Sequence, residues 1–272
     1  MPEGPEIRLA ADRLHKVLAG QTIEDAEFTL PGTARARQRI LGKKVVRVTC
    51  HGKAMLTQFD HGETLYSHNQ LYGVWRVSKR DHVPDTNRKL RVALHTKAHS
   101  AFLFSATDVE FWPTDHLSEH PFLKKLGPDV LDESLTPVTI ASRLRDKTFT
   151  RRSLASLYLD QGFIAGIGNY LRTEILFQAK VPPTSKPCDL NATDIQRLAR
   201  ATITISQRSY KTRGVTVTQA TARKLKAQGG GFESYRFAAF GRAGKGCLNC
   251  GTKIIREEIG ARRLYWCPRC QA

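Results

Sequence analysis

The residues best suited to chemistry stand at the very start, in Met1-Pro2-Glu3-Gly4-Pro5-Glu6. An initiator Met followed by a small residue is normally trimmed, which exposes the secondary amine of Pro2. A free α-amine titrates near ~8, far below a lysine near ~10.4, so a useful fraction is unprotonated and nucleophilic at neutral pH. Such an amine attacks a carbonyl-like carbon, and the carboxylates of Glu3 and Glu6 stand beside it as acid or base. Gly4, between them, lets another backbone or a ligand come close. The plainer reading of the same residues is a helix start, where Pro and Glu are favoured by fixed φ and by the helix dipole.

The end of the chain carries a second constellation. Cys247-x2-Cys250 and Cys267-x2-Cys270 are separated by residues 251–266, and four thiolates at that spacing make a tetrahedral zinc site. Two disulfides are the alternative, disfavoured in an intracellular chain. Between the pairs, residues 253–259, a turn at Gly260-Ala261-Arg262-Arg263 and then Leu264-Tyr265-Trp266 predict a β-hairpin with arginines at its tip. The spacing suggests no open coordination position, so the metal stiffens the hairpin and does not activate water. Cys50 and Cys188 are isolated and are expected to be ordinary thiols.

Three further stretches invite function. In Gly162-Phe163-Ile164-Ala165-Gly166-Ile167-Gly168-Asn169, glycines lie between helical segments, and a helix opened by Asn169 offers backbone N–H groups to a phosphate. A helix rather than a strand precedes these glycines, which argues against a dinucleotide fingerprint. His51-Gly52-Lys53 places a lysine in a turn-like break, and Asn69-Gln70-Leu71-Tyr72-Gly73 sets an amide, an aliphatic and an aromatic side by side. Alone, the first is a solvated turn charge and the second is core. The nine histidines form no metal-binding spacing and are expected to be structural.

These residues need a scaffold of adequate size. With 272 residues, 40% hydrophobic, the chain can bury a real core in one large or two ordinary domains. No apolar run approaches the roughly 20 residues that cross a bilayer, and no export signal is evident, so a cytoplasmic protein is expected. The formal charge is +18, and from Ser206 to the end there are 14 Lys and Arg against Glu233, Glu257 and Glu258. A polyanion is the expected partner, nucleic acid before membrane, with the C-terminal quarter as its electrostatic anchor.

Apolar residues at helical spacing from Ile7 to Leu18, stopped by Gly20, predict a helix over residues 5–19 with Glu3 toward its inward side. Short β-branched runs such as Val45-Val46-Arg47-Val48, Leu90-Arg91-Val92-Ala93-Leu94 and Ala101-Phe102-Leu103-Phe104 predict a sheet sandwich packed with that helix. Beyond Thr136 the period turns helical, with helices expected over 137–145, 152–161 and 170–178, and a further one capped by Asn191 or Thr193. The fold class expected is α+β. Its parts are a catalytic β-sandwich domain over 1–120, a linker over 121–135, a helical domain over 136–235 and a four-cysteine finger over 236–272.

In combination, the opening Met-Pro-Glu-Gly-Pro-Glu, His51-Gly52-Lys53, Asn69-Gln70-Leu71-Tyr72-Gly73, the run from Gly166 to Glu174 and the terminal finger resemble the formamidopyrimidine-DNA glycosylase/endonuclease VIII family. The resemblance spans essentially the whole chain, and Gly4 with the Gln70-Leu71-Tyr72 triplet is similar to the endonuclease VIII branch. It implies a helix-two-turn-helix domain and a bifunctional DNA glycosylase and abasic-site lyase that removes oxidised pyrimidines. Pro2 would form a Schiff base at C1′ of the damaged nucleotide, with Glu3 as proton donor. Lys53 would contact phosphate and serve in β-elimination, and Arg262 in δ-elimination. Gln70, Leu71 and Tyr72 would fill the gap left by the flipped nucleotide, and Asn169 would bind phosphate. Glu6 and Glu174 match acidic positions of the family's site. The implied partner is damaged double-stranded DNA, met by a monomer with one structural zinc, no small-molecule cofactor and no membrane. The chain departs from the family pattern at Lys125, a DNA-contacting Arg in that branch, and at Arg263, commonly Pro. The competing readings are a purine-directed glycosylase and a non-enzymatic zinc-ribbon DNA-binding protein; the latter leaves the carboxylate-flanked Pro2 unexplained.

Overall fold

The computed structural model describes residues 2–31, 33, 35–80 and 82–272, so the trimming expected at Met1 lies outside the described residues. The chain partitions into two compact units. Pro2 and Glu6–Lys125 form the first, and Leu126–Ala272, joined by Glu3–Pro5, the second.

In the first unit, α1 (Gly4–Leu18) buries Ile7, Ala11, Leu14 and Leu18, each no more than 1% exposed, at spacings of four, three and four. These pack against two antiparallel four-stranded sheets. One sheet runs in the order β1 (Asp25–Phe28), β6 (Leu90–His95), β7 (His99–Phe104), β5 (Val74–Lys79). The other runs β2 (Val45–His51), β3 (Ala54–Phe59), β4 (Glu63–His68), β8 (Asp108–Pro113). Their common core joins Val45, Met55, Phe59 and Leu65 from one sheet to Trp75, Val92, Leu94 and Leu103 from the other. Strand β4 hides from a simple alternation rule because its polar residues are buried and satisfied. The Thr64 and Thr114 hydroxyls bond each other at 2.9 Å, and Ser67 Oγ accepts from Trp75 Nε1 at 3.2 Å. A short helix, α2 (Ala36–Ile40), sits before β2.

The second unit is helical until its end. Helix α3 (Pro137–Arg145) starts on Thr136, whose side chain accepts from Thr139 N. The helix expected over 152–161 shrinks to α4 (Leu154–Leu157), because Asp160 turns the chain by accepting from Gly162 N at 2.8 Å. Helix α5 (Asn169–Ala179) is the core element, with Leu171, Ile175, Leu176 and Ala179 packed on Ile195, Leu198 and Ala199 of α6 (Ala192–Lys211). Asn191 caps α6 through its side chain, as the sequence allows. An unforeseen helix, α7 (Gln219–Lys226), buries only Leu225 and therefore shows no apolar period. The chain closes on a hairpin of β9 (Ile255–Ile259) and β10 (Arg262–Trp266). The α+β architecture expected from the sequence is the one observed. Among the described residues, no helix is long and apolar enough to cross a membrane.

Candidate active site

Glu3 is 3% exposed, and its carboxylate closes the N-terminus of α5. Oε2 accepts from Gly168 N at 2.8 Å and Leu171 N at 3.1 Å, and Oε1 accepts from Tyr170 N at 2.8 Å. The helix has no side-chain cap of its own, so a carboxylate from the far end of the chain satisfies donors that a helix start leaves orphaned. The sequence offered these N–H groups to a phosphate; the structure gives them to Glu3. The seat requires glycine, since a Cβ on Gly168 would stand 2.4 Å from Glu3 Cδ. Gly4 is close-packed to a lesser degree, donating to Gly166 O at 2.7 Å, and a Cβ there would meet Gly166 Cα at 3.1 Å. Pro2 precedes this anchored carboxylate by one residue, and Glu6 lies half-buried in the first turn of α1.

Sequence reading missed Arg172, which is wholly buried. Its Nη1 donates to Ala155 O at 2.8 Å, while Nη2 donates to Asn169 Oδ1 at 2.5 Å and to Arg263 O at 3.3 Å. Asn169 Nδ2 donates to the same Arg263 carbonyl at 2.7 Å. The first residue of α5 and a buried guanidinium thus hold the second residue of β10. Burial pulls the Arg172 pKa down to about 10 while the charge of Glu3 opposes this, so the group stays cationic at neutral pH. Its only sequence signal was position, three residues past Asn169 and on the same helical face. The hairpin turn itself is Gly260-Ala261, both at positive φ, so Arg262 and Arg263 open the strand rather than form the tip. Consecutive strand residues face opposite ways, and the Arg262 charge is the one felt at Arg172.

Glu174 is 2% exposed and accepts from Thr216 Oγ1 at 2.5 Å and from the backbone N–H groups of Ala238, Ala239 and Phe240 at 2.9, 2.8 and 2.9 Å. These donors make it a clamp on the segment that leads into the finger. The sequence signal was a lone acid in an apolar helix.

In the first unit, Lys53 occupies the two-residue turn between His51 and Ala54, with Gly52 at φ +60. Ala54 pairs with His68, which sets that turn beside the loop following β4. The loop is braced at Asn69, Gln70, Tyr72 and Gly73. Gln70, at φ +49, donates its N–H to His68 Nδ1 at 3.1 Å and accepts from Thr107 Oγ1 at 2.6 Å. Gly73 N donates to Asn69 O at 2.7 Å, and Arg88 Nη1 to Tyr72 O at 2.5 Å. Burial lowers the His68 pKa, which keeps Nδ1 available as an acceptor. On this rigid base Leu71 and Tyr72 are 50% and 67% exposed, an unusual cost for two large apolar groups on one loop. Lys125 is exposed at the end of a single 3-10 turn, Leu123–Lys125.

A wedge on a braced loop carries a clear expectation. Leu71→Ala with Tyr72→Ala removes apolar bulk and no charge, so excision of a base still paired in duplex should fall about tenfold or more, against a stacking loss of a few kcal/mol. Cleavage at a preformed abasic site should fall less, because that nucleotide is cheaper to extrude, and salt-dependent binding should hold. Equal losses on both substrates in a paired single-turnover assay would remove the wedge role.

The four cysteine sulfurs of the finger lie within 4.8 Å of one another. Cys247 Sγ is 3.9 Å from Cys270 Sγ, and Cys250 Sγ is 3.5 Å from Cys267 Sγ. Bonds of about 2.3 Å to a tetrahedral zinc put sulfurs roughly 3.8 Å apart, whereas a disulfide needs about 2.05 Å. The donor set therefore fits one structural zinc with no position left open.

A sandwich preceded by Pro2, a glycine-tied carboxylate, a helix-two-turn-helix core and a tetrathiolate hairpin define the class of DNA glycosylase/abasic-site lyases. Comparison with known proteins agrees. Residues 1–108 match the formamidopyrimidine-DNA glycosylase N-terminal domain, 126–221 its H2TH domain, and 244–272 the zinc finger found in FPG and IleRS. Endonuclease 8 of Pectobacterium atrosepticum is 44% identical over 272 residues, covering all of both chains. That of Escherichia coli O6:K15:H31 is 45% identical over 271 residues, again at full coverage. The Lactococcus lactis Fpg structure, in complex with N7-benzyl-Fapy-dG DNA, superposes at a TM-score of 0.82 over 99% of each chain, at 24% identity, a likeness of fold. The chain belongs to the formamidopyrimidine-DNA glycosylase/endonuclease VIII family and is a base-excision repair glycosylase and lyase.

Proposed function

We propose that this enzyme removes oxidised pyrimidines from duplex DNA and nicks the strand by β,δ-elimination, with Pro2 as the nucleophile. The carrying observation is the seat of Glu3, which anchors a carboxylate one residue from the terminal amine. Pro2 nitrogen attacks C1′, the bond from C1′ to the base breaks, and the amine's proton passes to Glu3 and from there to the departing base. The C1′–O4′ bond then breaks, O4′ taking a proton from water, and the resulting iminium acidifies C2′, whose proton is lost as the 3′ phosphate leaves; loss of the C4′ proton with departure of the 5′ phosphate completes δ-elimination. Lys53 and Arg262 offer positive charge to the leaving phosphates. Arg262 is favoured over Arg263 for this, because its charge reaches the Arg172 and Glu3 neighbourhood while the Arg263 carbonyl is held by Asn169. Asn169, oriented by Arg172, and Lys125 serve the DNA backbone; Gln70, Leu71 and Tyr72 fill the vacated stack. Glu174 acts by holding the 238–240 segment, and Glu6 supplies a further carboxylate near the amine in sequence. Gly4, packed on Gly166, and the Gln70-Leu71-Tyr72 triplet support pyrimidine over purine lesions. The enzyme works as a cytoplasmic monomer on chromosomal DNA.

Borohydride reduction during turnover on an oxidised-pyrimidine duplex should give a covalent adduct on the N-terminal peptide at Pro2. An adduct mapped to Lys53 alone would overturn the nucleophile. Faster excision of 8-oxoguanine than of oxidised pyrimidines would overturn the lesion class.

A further inference from the structure

Between Asp194 and Glu233 the sequence carries no acidic residue but has eight Lys and Arg. On α6, Arg197, Arg200, Thr204, Arg208 and Lys211 are spaced three, four, four and three apart and so share one side of the helix. At 1.5 Å per residue this stripe is about 21 Å long. Two grooves open along it. Arg197, Arg200 and Thr204 line one of 580 Å³, and Arg208 lines another of 830 Å³ with Lys180, Lys224 and Arg242; Gln178 lines both. The one acid of the larger groove, Glu174, already accepts four hydrogen bonds. Arg208 and Arg242 are both partly desolvated, and the buried Nε of Arg242 has no hydrogen-bond partner among the described residues.

These grooves touch the site already described at Glu174 and its 238–240 clamp, but they lie away from the Glu3 seat and the Asn169 end of α5. Gln178 and Lys180 mark the C-terminal end of α5, whereas Asn169 and the Arg263 carbonyl mark its N-terminal end, about 15 Å away along an 11-residue helix. Arg242, close to Cys247, offsets thiolate charge in the finger, but Arg200, Lys211 and Lys224 are exposed and have no such task. The lining aromatic of the larger groove, Phe177, is 4% exposed, so bases have nothing to stack on.

We propose that this stripe is a second DNA-binding track, which holds the sugar–phosphate backbone of a duplex segment other than the one whose lesion is engaged. A strand presents one phosphate per 3.4 Å of axis, so the stripe spans about six. Contact is to phosphates alone and carries no sequence preference. A chain holding two segments passes from one to the next without a free-diffusion step. The proposal rests on the glycosylase reading for its first DNA site.

The test saturates the full-length protein with a lesion duplex carrying one fluorophore and titrates a lesion-free duplex carrying another. A ternary complex with both labels is expected, weakening steeply with salt. Arg200→Glu with Lys224→Glu should weaken the second binding about tenfold and lower its salt slope by about two, while borohydride trapping stays at the wild-type level. Arg13→Glu with Lys16→Glu on α1 makes the same net charge change and should leave the second binding intact. Absence of the ternary complex at low salt, equal losses in both variants, or displacement of the second duplex by polyglutamate at equal charge concentration would overturn the track. Failure of trapping with two lesion-free duplexes still bound per chain would instead strike the nucleophile assignment.

Discussion

Gly168→Ala is expected to lower base excision by about 10²–10⁴-fold, the range of a lost acid/base group. The backbone at Gly168, φ −131 and ψ −153, is extended and open to alanine, so the effect comes from the Cβ alone. That atom would stand 2.4 Å from Glu3 Cδ, and the carboxylate must leave its three N–H donors. Glu3→Gln approaches the same site from the other side. By sequence it removes a proton carrier without a change of shape. In the structure both oxygens accept from backbone N–H groups, so the amide turns one donor against another and adds roughly 1–3 kcal/mol for the group left unpaired. Glu3→Gln should therefore lose excision and some thermal stability together, while zinc content and salt-dependent DNA binding persist in both variants. Single-turnover excision on a lesion duplex, read beside zinc content and a melting curve, decides this. Wild-type excision by Gly168→Ala would sink the Glu3 role.

Cys250→Ser should remove the zinc and with it the hairpin. Zinc contributes on the order of 10–16 kcal/mol to the folding of small tetrahedral fingers, more than the hairpin's own apolar contacts supply. Around the cysteines the buried apolar cluster is small, with Phe177, Ala239, Ile254 and Tyr265 as its other buried members among the described residues. Arg262 and the Arg263 carbonyl held by Asn169 sit on the strand the metal frames. DNA affinity should fall by about tenfold or more and elimination with it, whereas the sandwich, whose core is separate, should stay folded. Metal analysis, far-UV circular dichroism and a binding titration on the same sample read all three; a metal-free protein with full activity would falsify the framing role.

Much of the molecule was legible before its structure. The cysteine spacing, the helical period from Ile7 to Leu18 and the cap at Asn191 are local features, set by neighbours in the chain. So was the interest of the glycine run that ends at Gly168 and Asn169, since glycines between two helical segments mark a close turn. The resemblance of the motifs to a known family supplied the candidate roles. Local pattern failed where burial and polarity part company. Strand β4 keeps buried Thr64 and Ser67, α7 has a single buried apolar residue, and 152–161 is cut short by the Asp160 turn. What only the tertiary structure decided is which groups answer one another over long separations. Glu3 meets Gly168 and Tyr170 across more than 160 residues, Arg172 reaches the Arg263 carbonyl, and Glu174 gathers Ala238, Ala239 and Phe240. A buried charge must find its donors wherever folding brings them, and spacing along the chain carries no record of that partner.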